Sequence, residues 1–252
     1  MTRKTNFTSW VTCPQPNPEA KLRLFCFPFA GGSSIAFRTW PNYLPKTIEV
    51  CPIEIPGRGR QIKSPLYTEI QPLVREIATN IIPYLDKPFA FFGYSMGASI
   101  SFELIRLLRS QYSFHPLHLF VAARRAPQFP NENPLLSQLP DADFLVEIAQ
   151  FNGTPPAVLE DTELMEIFLP IIRADFTLLE SHIYTEEPPL NCSITAFGGS
   201  QDLAVSYNAL LAWQVQTIVN FSLQVLEGDH FFMNTATTTL LNSVSQDLQL
   251  YI

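Results

Sequence analysis

The pentapeptide Gly93-Tyr94-Ser95-Met96-Gly97 places a serine between two glycines, directly after an apolar run and directly before a segment of helical period. A serine in such a strand-to-helix turn can act as a nucleophile, because the turn exposes its hydroxyl and the following helix directs the positive end of its dipole toward it. The glycines leave room where side chains would collide with neighbouring backbone. A Gly-rich turn also occurs for packing alone, but the flanking strand and helix favour a nucleophile.

A nucleophilic serine needs a base, and the sequence contains four histidines: His115, His118, His182 and His230. His115 and His118 lie at the entrance to a predicted strand, at the opposite edge of the sheet from Ser95, and His182 lies in a predicted helical insertion. We expect these three to be structural or surface residues. His230 follows the last predicted strand, at the same carboxyl edge as Ser95, and is the predicted base.

The residue that orients the base should lie between Ser95 and His230 in the chain and follow a strand. Asp202 meets both conditions, and a buried carboxylate there would fix the imidazole tautomer and stabilise the imidazolium. Asp229 stays the alternative, although a residue adjacent to His230 directs its side chain elsewhere. Four other aspartates belong to the helical insertion and are set aside: Asp141, Asp143, Asp161 and Asp175.

The loop from Pro28 to Ser34 is a Gly-rich strand-to-helix turn that can stabilise an oxyanion. A backbone N–H at Ala30 or Phe29 would join the N–H of Met96 to form the oxyanion hole. The loop has neither the G-x-G-x-x-G spacing nor the GK[ST] sequence of a nucleotide-binding loop. We therefore expect no cofactor, and no cluster in the sequence indicates a bound metal.

These residues are positioned by short apolar segments that alternate with longer segments of helical period. The pattern predicts a mostly parallel sheet with helices on both faces, an α/β fold of the α/β-hydrolase type. The predicted strands are Leu22–Phe27, Ile48–Ile55, Pro88–Phe92, Leu117–Ala123, Ser193–Phe197 and Ser222–Leu226. The predicted covering helices are Leu73–Leu85, Ala98–Leu108, Tyr207–Val219 and Thr238–Leu250.

The stretch from about 130 to 189 breaks this alternation, because it contains two helical patterns and no strand pattern. The first begins at Asp141, and the second spans 164–183 with Pro170 as a bend. We expect a helical lid inserted over the carboxyl ends of the strands, where such sheets bind ligands. The alternative is that both helices pack on the sheet as core. Residues 1–252 are expected to form a single domain of this type.

Bulk composition limits the classes of function. A chain of 252 residues with 46% hydrophobic residues fits one sizeable domain. Its net charge of −7 argues against a nucleic-acid binder or a protein that binds anionic membranes. Four cysteines without a C-x-x-C pair suggest free thiols in a reducing compartment: Cys13, Cys26, Cys51 and Cys192. Neither a signal peptide nor a membrane-spanning window is recognisable, so we expect a cytoplasmic protein.

Six segments together are far more specific than the serine motif alone. They are LFCFPFAGGSS near the start, EIPGRGRQ at 54–61, FFGYSMGA at 91–98, VAARRAP at 121–127, GGSQDLAV at 199–206 and GDHFFM at 228–233. With them the chain resembles, over nearly its whole length, the type II thioesterases that accompany non-ribosomal peptide and polyketide synthases, and the related medium-chain fatty-acid thioesterases.

The resemblance implies hydrolysis of acyl groups from the phosphopantetheine arm of a carrier protein, which would be a transient partner. It also implies a triad of Ser95, Asp202 and His230, a mobile lid between the fourth and fifth strands, and no cofactor. Such enzymes remove aberrant acyl groups or release finished chains, and the sequence does not separate these uses.

Further residues are candidates for substrate contacts. Phe29 and Tyr94 are predicted to line the pocket, although aromatic side chains are also common in cores. Four arginines on loops at the carboxyl ends of strands could contact the phosphate or an acidic carrier surface, or pair with local carboxylates: Arg58, Arg60, Arg124 and Arg125.

Three rival functions remain open on the same sequence. Acyl transfer to an alcohol or amine and carboxylester hydrolysis both suit the same triad. A non-catalytic module that binds acyl-carrier proteins would tolerate a broken triad. The complete triad and the glycine elbow favour a hydrolase, although fold alone never proves activity.

Overall fold

A computed structural model describes residues 9–130, 134–154 and 156–252. Six strands form one sheet in the order β2-β1-β3-β4-β5-β6, and every neighbouring pair is parallel. The strands are β1 Leu22–Phe27, β2 Ile48–Pro52, β3 Phe89–Tyr94, β4 His118–Ala122, β5 Ser193–Gly199 and β6 Phe221–Leu226. The predicted mostly parallel α/β-hydrolase sheet is confirmed, and its carboxyl ends lie along one edge.

The predicted helices occur in the predicted order, together with two short helices, Pro156–Leu159 and Phe232–Thr235, that were not predicted. They are α1 Ile70–Ile81, α2 Met96–Tyr112, α3 Asp141–Ala149, α4 Pro156–Leu159, α5 Thr162–Glu180, α6 Tyr207–Leu211, α7 Phe232–Thr235 and α8 Thr237–Gln249. Short 3-10 turns occur at Ser34–Phe37, Trp40–Asn42, Gly59–Gln61, Ile82–Tyr84, Leu136–Gln138 and Ala212–Gln216. None of the helices in the described ranges is long and apolar enough to cross a membrane.

Side chains of the central strands enter two separate cores, as alternation along a strand requires. In β1, Phe25 and Phe27 pack with α1 and α2 on one face. Leu24 and Cys26 pack on the other face with α8 and the 3-10 turns that follow β1. Burial on both faces explains why these strands are nearly all apolar.

The bounds of several predicted elements differ from the structure, and two of them end early. β2 ends at Pro52, and Ile53 instead makes an isolated antiparallel bridge to Val11. Proline offers no N–H to continue the ladder. The predicted helix Tyr207–Val219 is an α-helix only over α6 and continues as the 3-10 turn Ala212–Gln216.

The inserted segment between β4 and β5 has a small core of its own. Phe144 and Ile148 of α3 pack with Ile172 of α5 in a cluster distinct from the two sheet cores. Leu178, near the end of α5, joins the core that α1 and α2 cover. Pro170 lies within α5 without ending it. Residues 131–133 and 155 of the predicted insertion, and residues 1–8 of the predicted leaderless N-terminus, lie outside the described residues.

Candidate active site

Ser95 lies in a strained turn between β3 and α2. Its φ of 50° and ψ of −110° place a non-glycine residue in a rarely populated region, which is typical of a nucleophile elbow. The turn is tight enough to require glycine on both sides. A Cβ on Gly93 would lie 2.4 Å from Cα of Ala98, and one on Gly97 would lie 2.1 Å from the carbonyl oxygen of Phe27. The glycines therefore permit the close approach that exposes the serine.

His230 lies within hydrogen-bonding distance of both predicted partners. Its Nε2 is 3.2 Å from Oγ of Ser95, and its Nδ1 is 2.9 Å from Oδ2 of Asp202. The other oxygen of Asp202 accepts the N–H groups of Ala204 at 2.8 Å and Val205 at 3.3 Å. A carboxylate only accepts, so Nδ1 carries the proton and Nε2 is free to accept from the serine. The geometry suits Ser95 as nucleophile and His230 as base.

Asp229, the alternative acid, is engaged elsewhere. Its Oδ1 accepts the N–H of Phe231 at 2.8 Å, and its Oδ2 accepts the side-chain amide of Asn152 at 3.1 Å. These bonds direct the carboxylate toward the inserted segment and away from the ring of His230. The structure therefore brings Asp202, rather than Asp229, to the base.

The other three histidines lie apart from this group, as expected. His118 is buried at the start of β4 with Nε2 2.9 Å from Oγ1 of Thr195, and burial lowers its pKa to about 4. His182 pairs with Glu103 at 3.2 Å, while His115 is exposed. In the described part of the chain, no group of three or more His, Cys, Asp or Glu is arranged to hold a metal ion.

A cavity of about 290 Å³ opens beside Ser95 and His230. Most of its lining side chains are apolar, and many come from the inserted segment: Leu136, Ile148, Phe151, Val158, Phe168, Ile172, Phe176 and Leu179. Phe29 and Ala30 of the β1 loop also line the cavity. Within the described ranges, the N–H groups of Phe29, Ala30 and Met96 have no hydrogen-bond partner. They are available to an oxyanion, which is the role that the sequence predicts for Ala30 or Phe29 together with Met96.

The two predicted pocket aromatics occupy different places. Phe29 is on the cavity wall, with its ring edge-to-face to Phe231 at a centroid distance of 4.9 Å. Tyr94 is fully buried and absent from the wall, because successive residues of a strand point to opposite faces and Tyr94 joins the core beneath. The prediction that Tyr94 lines the pocket is therefore not supported. Its hydroxyl instead donates to the carbonyl of His230 at 2.7 Å.

The four candidate arginines lie in different environments. Arg58 is buried and forms a bidentate ion pair with Asp175, at 2.5 and 2.7 Å, so it pairs with a local carboxylate and offers nothing to a carrier surface. Arg124 and Arg125 line the cavity, and neither pairs with a carboxylate in the described part of the chain. Arg124 donates from Nε to Oγ of Ser99 at 2.8 Å. Burial lowers the pKa of both groups, and Arg60 is exposed.

The segment EIPGRGRQ braces the loop that carries the candidate oxyanion donors. The buried carboxylate of Glu54 accepts the hydroxyl of Ser34 at 2.8 Å, and the carbonyl of Glu54 accepts the side-chain amide of Gln61 at 2.8 Å. Arg58 donates to the carbonyl of Gly32 at 3.3 Å. Reasoning from the sequence misses these supporting contacts. The only available signal is that charged residues recur in the otherwise Gly-rich segment 54–61.

Comparison with known proteins agrees with this geometry. A family model described as a thioesterase domain matches residues 22–248. The gramicidin S biosynthesis protein GrsT of Aneurinibacillus migulanus is 44% identical over 100% of this chain and 98% of its own length. LgrE of Brevibacillus parabrevis, named a linear gramicidin dehydrogenase, is 42% identical over 96% of this chain and 94% of its own. The solved structure of the type II thioesterase BorB from the borrelidin biosynthetic cluster has a TM-score of 0.88 and 29% identity, covering 97% of this chain and 99% of its own. The chain therefore belongs to the thioesterase domain family and has the fold of the type II thioesterases.

Proposed function

We propose that the protein hydrolyses acyl thioesters held on the phosphopantetheine arm of carrier proteins in non-ribosomal peptide or polyketide biosynthesis. The observation that carries the proposal is the contact series from Ser95 through His230 to Asp202, at 3.2 and 2.9 Å, at the mouth of the apolar cavity. Such a triad also hydrolyses oxygen esters and amides, so the choice of a thioester as substrate rests on membership of the thioesterase family. The names of the relatives, which refer to gramicidin S and borrelidin, support the pathway class.

In the first half of the reaction, Oγ of Ser95 attacks the thioester carbonyl carbon and its proton passes to Nε2 of His230. The carbonyl oxygen becomes negative and accepts the N–H of Met96 and that of Ala30 or Phe29. Asp202 stabilises the imidazolium. When the tetrahedral intermediate collapses, the carbon–sulfur bond breaks, the thiol leaves with the proton of His230, and the acyl group stays on Ser95.

The second half repeats this chemistry with water. His230 takes a proton from a water molecule as its oxygen attacks the acyl carbon, and a second tetrahedral intermediate forms at the same donors. Collapse releases the free acid and returns the proton to Ser95. Every proton passes through His230, first from Ser95 to the leaving thiol and then from water to Ser95, so the cycle needs no cofactor.

We also propose that the inserted segment between β4 and β5, about 130–189, acts as a lid within a single domain of 252 residues. Its apolar side chains form much of the cavity wall, and the ring of Phe151 lies 5.3 Å from that of His230. The bond from Asn152 to Asp229 joins it to the loop of the base. A lid that opens and closes would control access of water, which decides between hydrolysis and transfer to another acceptor.

The carrier protein is the proposed partner, with its phosphopantetheine phosphate near Arg124 and Arg125. Two guanidinium groups that line a cavity without carboxylate partners suit a phosphate or another anion. Replacing each by glutamine is expected to raise KM for acyl-carrier substrates and leave KM for short thioesters without a phosphate unchanged. An equal rise in KM for both substrates would show that the phosphate does not bind at Arg124 and Arg125. A cytoplasmic location stays a prediction.

Hydride transfer, which the name of LgrE would suggest, finds no support in this chain. The loop between Phe27 and Ser34 lacks the G-x-G-x-x-G spacing that lets a dinucleotide pyrophosphate approach the backbone. The residues at the carboxyl edge of the sheet instead suit acyl transfer to serine.

The proposal is tested by thiol release from acyl-pantetheine and acyl-carrier thioesters of increasing chain length, beside matched oxygen esters. The wild type is compared with Ser95→Ala, which lacks the nucleophile, and with Ser110→Ala, which changes an exposed serine near the end of α2 that lies outside the contact series. We expect carrier thioesters to be hydrolysed by the wild type and by Ser110→Ala, and not by Ser95→Ala. Turnover of oxygen esters alone would contradict the proposal that thioesters are the substrates. Binding of acyl-carrier protein without any turnover would favour the non-catalytic module.

A further inference from the structure

The β1 loop, which carries the proposed oxyanion donor, is held from outside by a helix of the inserted segment. Gly31 donates its N–H to Oδ2 of Asp175 on α5 at 2.7 Å, and the same carboxylate receives both terminal nitrogens of Arg58. Arg58 in turn donates to the carbonyl of Gly32. We infer that Asp175 is a positioning residue for catalysis, which fixes the loop that presents Ala30 to the reacting carbonyl. The inference rests on the proposed function.

The pair is built inside the protein rather than on its surface. Asp175 is 2% exposed and Arg58 is 3% exposed, although the two are separated by 117 positions in the sequence. A buried carboxylate is tolerated when its charge is paired and its lone pairs are used. Here the guanidinium supplies the charge, and a main-chain N–H of the catalytic loop supplies a further donor. The carboxylate therefore binds the loop itself as well as its ion-pair partner.

The local backbone explains why the loop needs such support. The N–H of Gly32 bonds to the carbonyl of Phe29 at 2.9 Å, and Gly31 has a φ of +75°, so residues 29–32 form a type II turn with glycine at its third position. The central peptide of such a turn, between Ala30 and Gly31, can rotate toward the type I orientation. Rotation would turn the Ala30 carbonyl toward the carboxylate of Asp175 and break the bond to Gly31. Asp175 thus favours one orientation of this peptide.

Gly31 is also in close contact with α5. A Cβ on Gly31 would lie 2.8 Å from Cγ1 of Ile172, one turn before Asp175. Phe29 and Ala30 of the same turn line the cavity together with Ser95. The loop is therefore packed between the nucleophile and the inserted helix. The packing of α5 against the loop and the orientation of the Ala30 N–H therefore depend on each other. Loss of the Asp175 contact should destabilise the transition state more than it weakens substrate binding.

Three variants separate positioning from a purely structural role. Asp175→Asn keeps the shape of the side chain and removes its charge. The double variant Arg58→Met with Asp175→Leu removes both buried charges together, which commonly preserves stability, but leaves Gly31 without its acceptor. Asp141→Asn is the matched control, because Asp141 pairs with Arg173 and joins α3 to α5 at an exposed site away from the β1 loop.

For each variant, kcat and KM are measured with an acyl thioester, and the rate of Ser95 labelling is measured with a fluorophosphonate, whose phosphoryl oxygen uses the same donors. Loss of a whole donor costs about 100-fold to 1000-fold in kcat, so loosening one should lower kcat at least about 30-fold in Asp175→Asn, with KM changed less than about threefold. Labelling should slow in parallel. The double variant should unfold at nearly the wild-type temperature yet keep the low kcat, and Asp141→Asn should match the wild type.

Recovery of kcat in the double variant, or an equal fall in Asp141→Asn, would show that the pair serves stability alone and overturn the inference. A rise in KM without a fall in kcat would overturn it as well. If the wild type is labelled at Ser95 but hydrolyses no thioester, the proposed function fails, and the labelling rates of the variants still decide the role of Asp175.

Discussion

The hydroxyl of Tyr94 donates a 2.7 Å hydrogen bond to the main-chain carbonyl of His230, so the residue before the proposed nucleophile holds the loop of the proposed base. The same oxygen accepts the N–H of Met233 at 3.3 Å. Burial raises the pKa of Tyr94 well above its ordinary range, so the hydroxyl stays protonated and keeps donating at alkaline pH. The bond therefore fixes the distance between the β3 and β6 loops while the ring of His230 faces Ser95.

Replacing Tyr94 by phenylalanine should leave a buried carbonyl and a buried N–H without a partner. We expect a loss of about 1–3 kcal/mol in the free energy of unfolding. Misplacement of His230 should also lower kcat about tenfold, because small shifts of a catalytic group are costly. Urea unfolding and steady-state kinetics measure the two effects. Tyr112→Phe, at an exposed site on α2, is the control. An unchanged kcat in a destabilised Tyr94→Phe would mean that the bond serves folding only.

The two aspartates near the base allow a direct comparison. Asp202→Asn should lower kcat by about 10⁴-fold, because an amide in place of the carboxylate favours the wrong imidazole tautomer. Asp229→Asn should cost less than about threefold, since the carboxylate of Asp229 bonds to Phe231 and Asn152 and leaves the ring of His230 alone. Single-turnover acylation of Ser95 measures both. If Asp229→Asn were the more damaging change, Asp202 would lose its proposed role.

Reasoning from the sequence predicts that Ser95, Asp202 and His230 lie close together, because this proximity depends only on where the strands end. In an all-parallel sheet every strand delivers its following loop to one edge, so residues far apart in the chain meet there once the strands are recognised. The bounds of β1 were predicted because an apolar run marks them, whereas the predicted helix from 164 begins two residues earlier in the structure, at Thr162 after the N-capping Asp161.

The same reasoning does not reach contacts that depend on the third dimension alone. Nothing local distinguishes Asp175 from the other aspartates of the insertion, and only the packing of α5 on the β1 loop brings it to Arg58. Tyr94 fails for a different reason. Its position beside Ser95 suggests the pocket, but strand alternation turns it into the core and toward the carbonyl of His230.

The free energy of unfolding should decrease as the pH falls through the range in which His118 titrates. Burial lowers its pKa from 6.5 to about 4, even though Asp247 on α8 lies 3.8 Å away and favours the charged form. Above pH 6.5 the ring is neutral in the folded and unfolded states. Between pH 6.5 and about 4 the unfolded state binds the proton more readily, so the free energy of unfolding decreases as pH falls, by at most about 3 kcal/mol.

Urea unfolding at several pH values from 7 to 4 tests this window. His118→Gln should flatten the decrease, whereas His115→Gln should leave it unchanged because His115 is exposed. Parallel profiles for the wild type and His118→Gln would assign the acid sensitivity to other groups.

The length of the acyl group should be limited by Phe176, whose ring lines the cavity and contacts Phe144 and Phe151 at centroid distances of 5.5 and 6.1 Å. Phe176→Ala should enlarge the cavity and shift the preference in kcat/KM toward longer chains, at about 0.8 kcal/mol for each methylene that gains burial. A series of acyl-pantetheine thioesters measures the optimum. Phe144→Leu is the matched control, because Phe144 is fully buried in the core of the insertion and absent from the cavity wall. It should lower stability without moving the optimum. The same shift of the optimum chain length in both variants would mean that weaker packing of the insertion, rather than the cavity volume beside Phe176, sets the preferred chain length.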